Sequence, residues 1–159
     1  MNYFELFDIP VSFKPDKVLL SQKYFELQKK FHPDFFIQST EAEQAEALEV
    51  SSQLNKALKV LRNEDETIKY VLQLKGLLEE EEKYQLPPGF LMEMMELNEE
   101  LSDDSAQQVA GIQKDLYAEV AGIIEDYNDN STPVADLLRL KEYYYKKKYL
   151  QRILDRIAD

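Results

Sequence analysis

The scarcity of turn-forming residues constrains this chain more than any other feature. Only four glycines and six prolines interrupt its 159 residues. Between them apolar residues recur every three or four positions rather than alternating, which is the period of a helix and not of a strand. Sheets need frequent reversals of direction and the residues that make them. The expectation is an all-α fold of one domain or two small ones.

The helices can be placed from their punctuation. Asn2, with Glu5 three residues on, caps a short first helix carrying Phe4, Leu6, Phe7 and Ile9 until Pro10 stops it. Pro15 suits the first turn of a second helix, in which Leu20, Tyr24, Leu27 and Phe31 share a stripe and Pro33 forbids continuation. The other side of this helix is basic, with Lys23, Lys29 and Lys30, and Glu26 stands four residues before Lys30. Thr40 and Glu43 make a capping box for a third helix, antiparallel to the second, bearing Ala47, Val50, Leu54, Ala57, Leu58 and Leu61. A fourth, with Ile68, Val71, Leu72 and Leu74, ends at Lys75-Gly76.

The run Glu79-Glu80-Glu81-Glu82 repels itself, and Pro87-Pro88-Gly89 breaks any helix entering it. Residues 77–88 therefore read as a solvated linker between an N-terminal domain, 1–76, and a C-terminal domain, 89–159. Three helical stretches follow: Phe90 to Leu101; Ser105 to about Tyr127, with Val109, Ile112, Leu116, Val120 and Ile123 on one stripe; and Pro133 to about Ile157, capped by Thr132. Their short connections predict an antiparallel three-helix bundle.

Several chemistries are excluded. There is no cysteine, so disulfides, zinc thiolates and the usual ligands of an iron–sulfur cluster are missing. His32 is the only histidine, which rules out a multi-histidine metal site, and no cofactor is expected. No apolar run approaches the roughly 20 residues that cross a bilayer. Met1-Asn2-Tyr3-Phe4-Glu5 lacks a basic flank before an apolar core, so a cytoplasmic, unprocessed chain is expected. Residues 1–75 carry a net charge of −2 and residues 76–159 one of −10. So acidic a second half argues against nucleic acid, and Lys146-Lys147-Lys148 within it reads as solvated surface.

Tyr3-Phe4-Glu5-Leu6-Phe7, the junction Lys29-Lys30-Phe31-His32-Pro33-Asp34 and Leu54-Asn55-Lys56-Ala57-Leu58 together resemble a J domain, an antiparallel helical hairpin with flanking helices. Tyr70-Val71-Leu72-Gln73-Leu74-Lys75-Gly76, Phe90-Leu91-Met92-Glu93, Glu96-Leu97 and Glu99-Glu100-Leu101 extend the similarity to the HscB type of J protein, which serves iron–sulfur cluster assembly. Phe35 departs from the lysine or arginine that follows the tripeptide in many J domains. The resemblance implies a co-chaperone with no turnover of its own. Its J domain would stimulate the ATPase of a DnaK/HscA-type chaperone, and its bundle would hold an IscU-type iron–sulfur scaffold protein.

Carried onto this sequence, the resemblance places the chaperone contact on His32, Pro33 and Asp34, with Lys23, Lys29 and Lys30 complementing an acidic surface. Taken alone, His-Pro-Asp could simply be a polar turn after a helix, and a lysine stripe is usually just solvated. On the helix from Phe90, the stripe Phe90, Met94, Leu97 and Leu101 suffices for a core, leaving Leu91, Met92 and Met95 surplus beside Glu96 and Glu99. These five residues form the expected scaffold-binding face, and the resemblance adds one of Tyr143, Tyr144 and Tyr145 from the last helix, with Tyr143 the one it aligns there. Burial of the surplus residues is the competing reading. A J protein with another client, a helical adaptor without chaperone activity and a His-Asp hydrolase are the rival functions.

Overall fold

A computed structural model describes all residues, Met1–Asp159. It is wholly helical: α1 (Tyr3–Phe7), α2 (Lys17–Phe31), a 3₁₀ turn (Pro33–Phe36), α3 (Glu41–Leu61), α4 (Glu64–Leu74), α5 (Pro88–Glu99), α6 (Ser105–Glu125) and α7 (Val134–Ala158). The chain divides into two compact units, Met1–Tyr70 and Val71–Asp159. That division falls inside α4, whereas the glycine stop in the sequence suggests Gly76.

In the first unit the caps act locally. The Asn2 side chain accepts the Glu5 N–H at 2.8 Å. Asp8, in the left-handed region at φ 54°, closes α1 by donating its own N–H to the Glu5 carbonyl. The helix therefore ends ahead of Pro10, without needing proline to stop it. α2 likewise begins later than Pro15, because Asp16 Oδ1 takes the Val18 and Leu19 N–H groups at 2.9 and 3.1 Å and sets the start at Lys17. Thr40 caps α3 as its box pattern predicts.

α2 and α3 are antiparallel, since Tyr24 meets Asn55 while Gln28 meets Ser51. Phe4, Phe7, Phe13, Leu20, Leu54, Ala57 and Ile68 are fully buried in this unit, each large side chain contributing about 2 kcal/mol. The third-helix stripe is buried as predicted at Ala47, Leu54, Ala57, Leu58 and Leu61 and differs at one position. Ser51 is buried and Val50 only partly so, because Ser51 Oγ donates to Gln28 Oε1 at 3.0 Å. Buried Thr67 donates to the Val60 and Asn63 carbonyls, fixing α4 on the end of α3. The Tyr70 ring stacks on Tyr3 at 4.5 Å, and its hydroxyl accepts the Tyr3 N–H.

In the second unit Gly76, at φ +71°, ends α4 by donating to the Gln73 carbonyl while Leu77 donates to Leu72. The acidic segment that follows is not free spacer. Glu82 pairs with Lys141 of α7 at 2.6 Å, the Tyr84 ring lies flat on Tyr145 at 4.5 Å, and Leu78 is buried. The Lys141 hydrogen bond holds the Glu82 carboxyl below its ordinary range, and burial pushes the Tyr145 hydroxyl up to about 12.

Pro88 and Gly89 form the first turn of α5 rather than a break before it, since a proline at the first helical position loses no bond the helix would have used. The start of α7 differs too: Thr132 Oγ1 accepts the Asn128 N–H inside the preceding turn, leaving Pro133 as a cap without a side-chain bond. α6 and α7 run antiparallel, Tyr117 meeting Tyr143 and Glu119 meeting Arg139. Met94, Val109, Leu150 and Ile153 make one buried cluster, with Phe90, Leu97, Ile112 and Tyr149 packed on it. Ile124, Leu137, Leu140 and Tyr143 are buried as well. No helix is long and apolar enough to cross a membrane, and no group of acids and histidine could hold a metal ion.

Candidate chaperone and client surfaces

α2 ends because His32, standing before Pro33, is forced into extended backbone at φ −62°, ψ 132°. Pro33 then opens the 3₁₀ turn, and Phe35 N–H closes it on the His32 carbonyl at 3.0 Å. Within the turn, the Asp34 N–H donates to His32 Nδ1 at 3.2 Å. A ring nitrogen that accepts cannot also carry the proton, so the neutral imidazole keeps its hydrogen on Nε2. Nδ1 also lies 3.6 Å from Asp34 Oδ2, a contact that is an ion pair only when the imidazole is protonated. The Asp34 carboxylate stands 80% exposed with no lysine or arginine of the chain paired to it. Phe35 packs edge-on against the imidazole at 6.3 Å and is otherwise exposed.

One side chain that the sequence reading missed holds this turn in place. Gln44, from the first turns of α3, donates its amide to the Phe36, Ile37 and Ser39 carbonyls at 3.0, 2.9 and 3.3 Å. The Phe36 carbonyl also accepts the Ser39 N–H, and the Gln44 bonds tie the end of the loop that carries Asp34 to α3. Of the basic residues, Lys29 and Lys30 are exposed and Lys23 is half-buried. Lys23 and Lys30 share a face, and Lys29 lies about 100° round the helix. The expected Glu26–Lys30 pair does not form, which leaves the Lys30 charge available to a partner.

On α5, Met94 points the helix into its bundle at 0% exposure, while Met92 and Met95 remain 64% and 53% exposed. Leu91 is partly exposed and Glu96 and Glu99 are exposed. Leu91 and Met95, four apart, form one ridge, and Met92, Glu96 and Glu99 form the next. The surface is thus apolar at its N-terminal end and acidic toward its C-terminal end. Tyr143 is not part of it: it is 5% exposed and meets Tyr117 edge-on at 6.2 Å in the contact of α6 with α7. Its spacing from Leu140 and Leu150, three before and seven after, was a sequence sign of that burial. Tyr144 and Tyr145 are half-buried, Tyr145 beneath Tyr84. Nor is the lysine triplet simply solvated: Lys146 pairs with Glu142 and lies 5.3 Å above the Phe90 ring, and Lys147 lies over Tyr143.

A co-chaperone protein HscB homologue from Vibrio vulnificus is 36% identical to this chain over 93% of each. The chain belongs to the HscB co-chaperone family. A second HscB homologue, from Psychromonas ingrahamii, is 33% identical over 92% of each chain. Among solved structures, the chaperone HscB from Vibrio cholerae superposes with a TM-score of 0.73 at 30% identity, covering 99% of this chain and 96% of its own. The human co-chaperone protein HscB gives 0.79 at 29% identity, covering 99% and 81%. Residues 86–158 match the family model described as the HSCB C-terminal oligomerisation domain. The HscB architecture, a J domain followed by a C-terminal helical bundle, accounts for every helix described above.

Proposed function

We propose that this co-chaperone stimulates the ATPase of a DnaK/HscA-type chaperone through His32, Pro33 and Asp34 and delivers an IscU-type iron–sulfur scaffold protein to it. In this reading residues 1–76 act as the J domain, 77–88 join the two parts, and 89–159 hold the scaffold, all in the cytoplasm. The observation that carries it is the Asp34 carboxylate, exposed and without a lysine or arginine partner at the end of a basic helix, on a turn that Gln44 ties to α3. Such a group has no role in holding the fold together and is placed to take a charge-assisted bond from a partner guanidinium. His32 supports the turn that aims it, Pro33 sets the backbone, and Lys23, Lys29 and Lys30 raise the encounter rate with an acidic chaperone surface.

The scaffold protein would meet Leu91, Met92 and Met95, whose flexible side chains suit a docked partner, with Glu96 and Glu99 at the rim. Tyr143 would act from beneath, by packing, and not by contact. Holding the client on one part of the chain while the other engages the ATP-bound chaperone raises the effective client concentration at the moment of hydrolysis. The test is the partner's steady-state ATPase against co-chaperone concentration for the wild type and Asp34→Asn. The expected result is that stimulation by a variant of unchanged helicity needs at least about thirtyfold more protein, because a charged interface pair contributes roughly 2 kcal/mol or more. Equal half-maximal concentrations would overturn the assignment.

A further inference from the structure

The cations of the acidic C-terminal part differ in their surroundings: Arg139 bonds the Glu119 carbonyl and Lys114 stands exposed on α6 without a partner. Lys75, Lys141 and Lys146 are each paired with a carboxylate, of Asp129, Glu82 and Glu142 respectively. Lys83, Lys148, Arg152 and Arg156 have no acidic partner, and all four line two adjoining grooves that share Tyr149 and Arg152. One groove, of about 240 Å³, lies between residues 82–86 and α7 and is lined by Lys83, Tyr145 and Lys148. The other, of about 210 Å³, is lined by Asn98, Ile153 and Arg156. Asn98 Oδ1 is buried and has no hydrogen-bond donor. Of the nearby acids, Glu82, which lines the first groove, is paired with Lys141 and Glu142 with Lys146, while Asp155 accepts from Gln151 and Glu80 acts on Tyr145.

We infer that this double groove is a binding site for an extended acidic peptide segment, separate from both the His32-Pro33-Asp34 turn and the methionine face of α5. Lys148, Arg152 and Arg156 follow one another at four-residue intervals on α7, about 6 Å apart along its axis. Alternate residues of an extended chain are spaced by about 6.6 Å. Carboxylates at every second position of a peptide lying along α7 would therefore each meet one cation. Residues 76–159 carry a net charge of −10, yet these four cations gather along the two grooves without a carboxylate partner, and arginine's planar fork suits a carboxylate. The tyrosine rings offer apolar area to the intervening side chains.

The site is independent of the chaperone reading and can be tested without any partner. Fluorescence anisotropy at low ionic strength would compare labelled Glu-Ala-Glu-Ala-Glu with its isomer Glu-Glu-Glu-Ala-Ala on the intact chain. The alternating peptide is expected to bind about fivefold more tightly, and Arg152→Glu or Arg156→Glu to weaken it about tenfold or more. Lys114→Glu, the same charge change at an exposed, unpaired position on α6, is expected to alter binding less than about twofold. Two substitutions of arginine keep the test open if one variant loses helicity. Equal affinity for the isomers, equal losses in the Lys114 variant, or displacement of the peptide by inorganic phosphate at matched charge would overturn the proposal.

Discussion

The three methionines of α5 should separate in two assays according to the face each occupies. Met94 is 0% exposed and sits at the centre of the cluster with Val109, Leu150 and Ile153. Met94→Ala removes a fully buried side chain and leaves a cavity, at a cost of about 3 kcal/mol. For a unit the size of Val71–Asp159, that lowers the thermal midpoint by roughly 12 to 24 °C. Met92 and Met95, at 64% and 53% exposure, should change stability by less than about 0.5 kcal/mol when truncated. Binding of the scaffold protein should reverse the order. Met92→Ala with Met95→Ala is expected to weaken it about tenfold, as two apolar anchors at the centre of an interface would. Circular dichroism melts and isothermal titration against the scaffold read the two quantities separately. A Met95→Ala melt as low as that of Met94→Ala, with scaffold affinity unchanged, would refute the assignment of faces.

Two further outcomes follow from polar contacts. Ser51→Ala, which strips half-buried Gln28 of its hydroxyl donor, should lower the urea-derived stability of the N-terminal unit by about 1 to 2 kcal/mol; a change near zero would mean that Gln28 finds another partner. The Asp129 carboxyl is held below its ordinary range by hydrogen bonds from Lys75 and then Tyr127, so its contribution is complete above the unfolded value near about pH 4 and is lost as pH falls through the lower folded value. Lys75→Met should therefore flatten the acid limb of a stability–pH curve, and an unchanged limb would show that the pair is broken in solution.

Helices, their inward faces and several of their ends were legible because they depend on neighbours within a turn or two. Asn2, Thr40 and Gly76 act on backbone groups three to five residues away, and a pattern of that range is written in consecutive residues. Pro87-Pro88-Gly89 misled for the same local reason: proline both breaks a helix from within and starts one, and only the sequel decides. Residues 79–86 were illegible in another way. Four adjacent glutamates look like spacer until Glu82 finds Lys141 and Tyr84 finds Tyr145, and nothing in local spacing announces contacts between distant segments. At the candidate chaperone site the tripeptide could be seen, but its support could not. Gln44 is one polar residue among many on an exposed helix start until the loop folds over it. Tyr143 is placed on the client face by the family resemblance alone, whereas its spacing from Leu140 and Leu150 marks the buried face.

The central claim is that one chain couples an ATPase stimulus to client delivery through two separate surfaces. Single-turnover hydrolysis by the partner chaperone, measured with and without the scaffold protein, tests it directly. His32→Gln, with helicity intact, should abolish stimulation at every scaffold concentration, since the imidazole that braces the Asp34 turn is lost. Leu91→Ala with Met95→Ala should keep the stimulus of the chain alone and lose the further acceleration that scaffold brings. Full stimulation by His32→Gln, or an undiminished scaffold response in the double variant, would contradict the account.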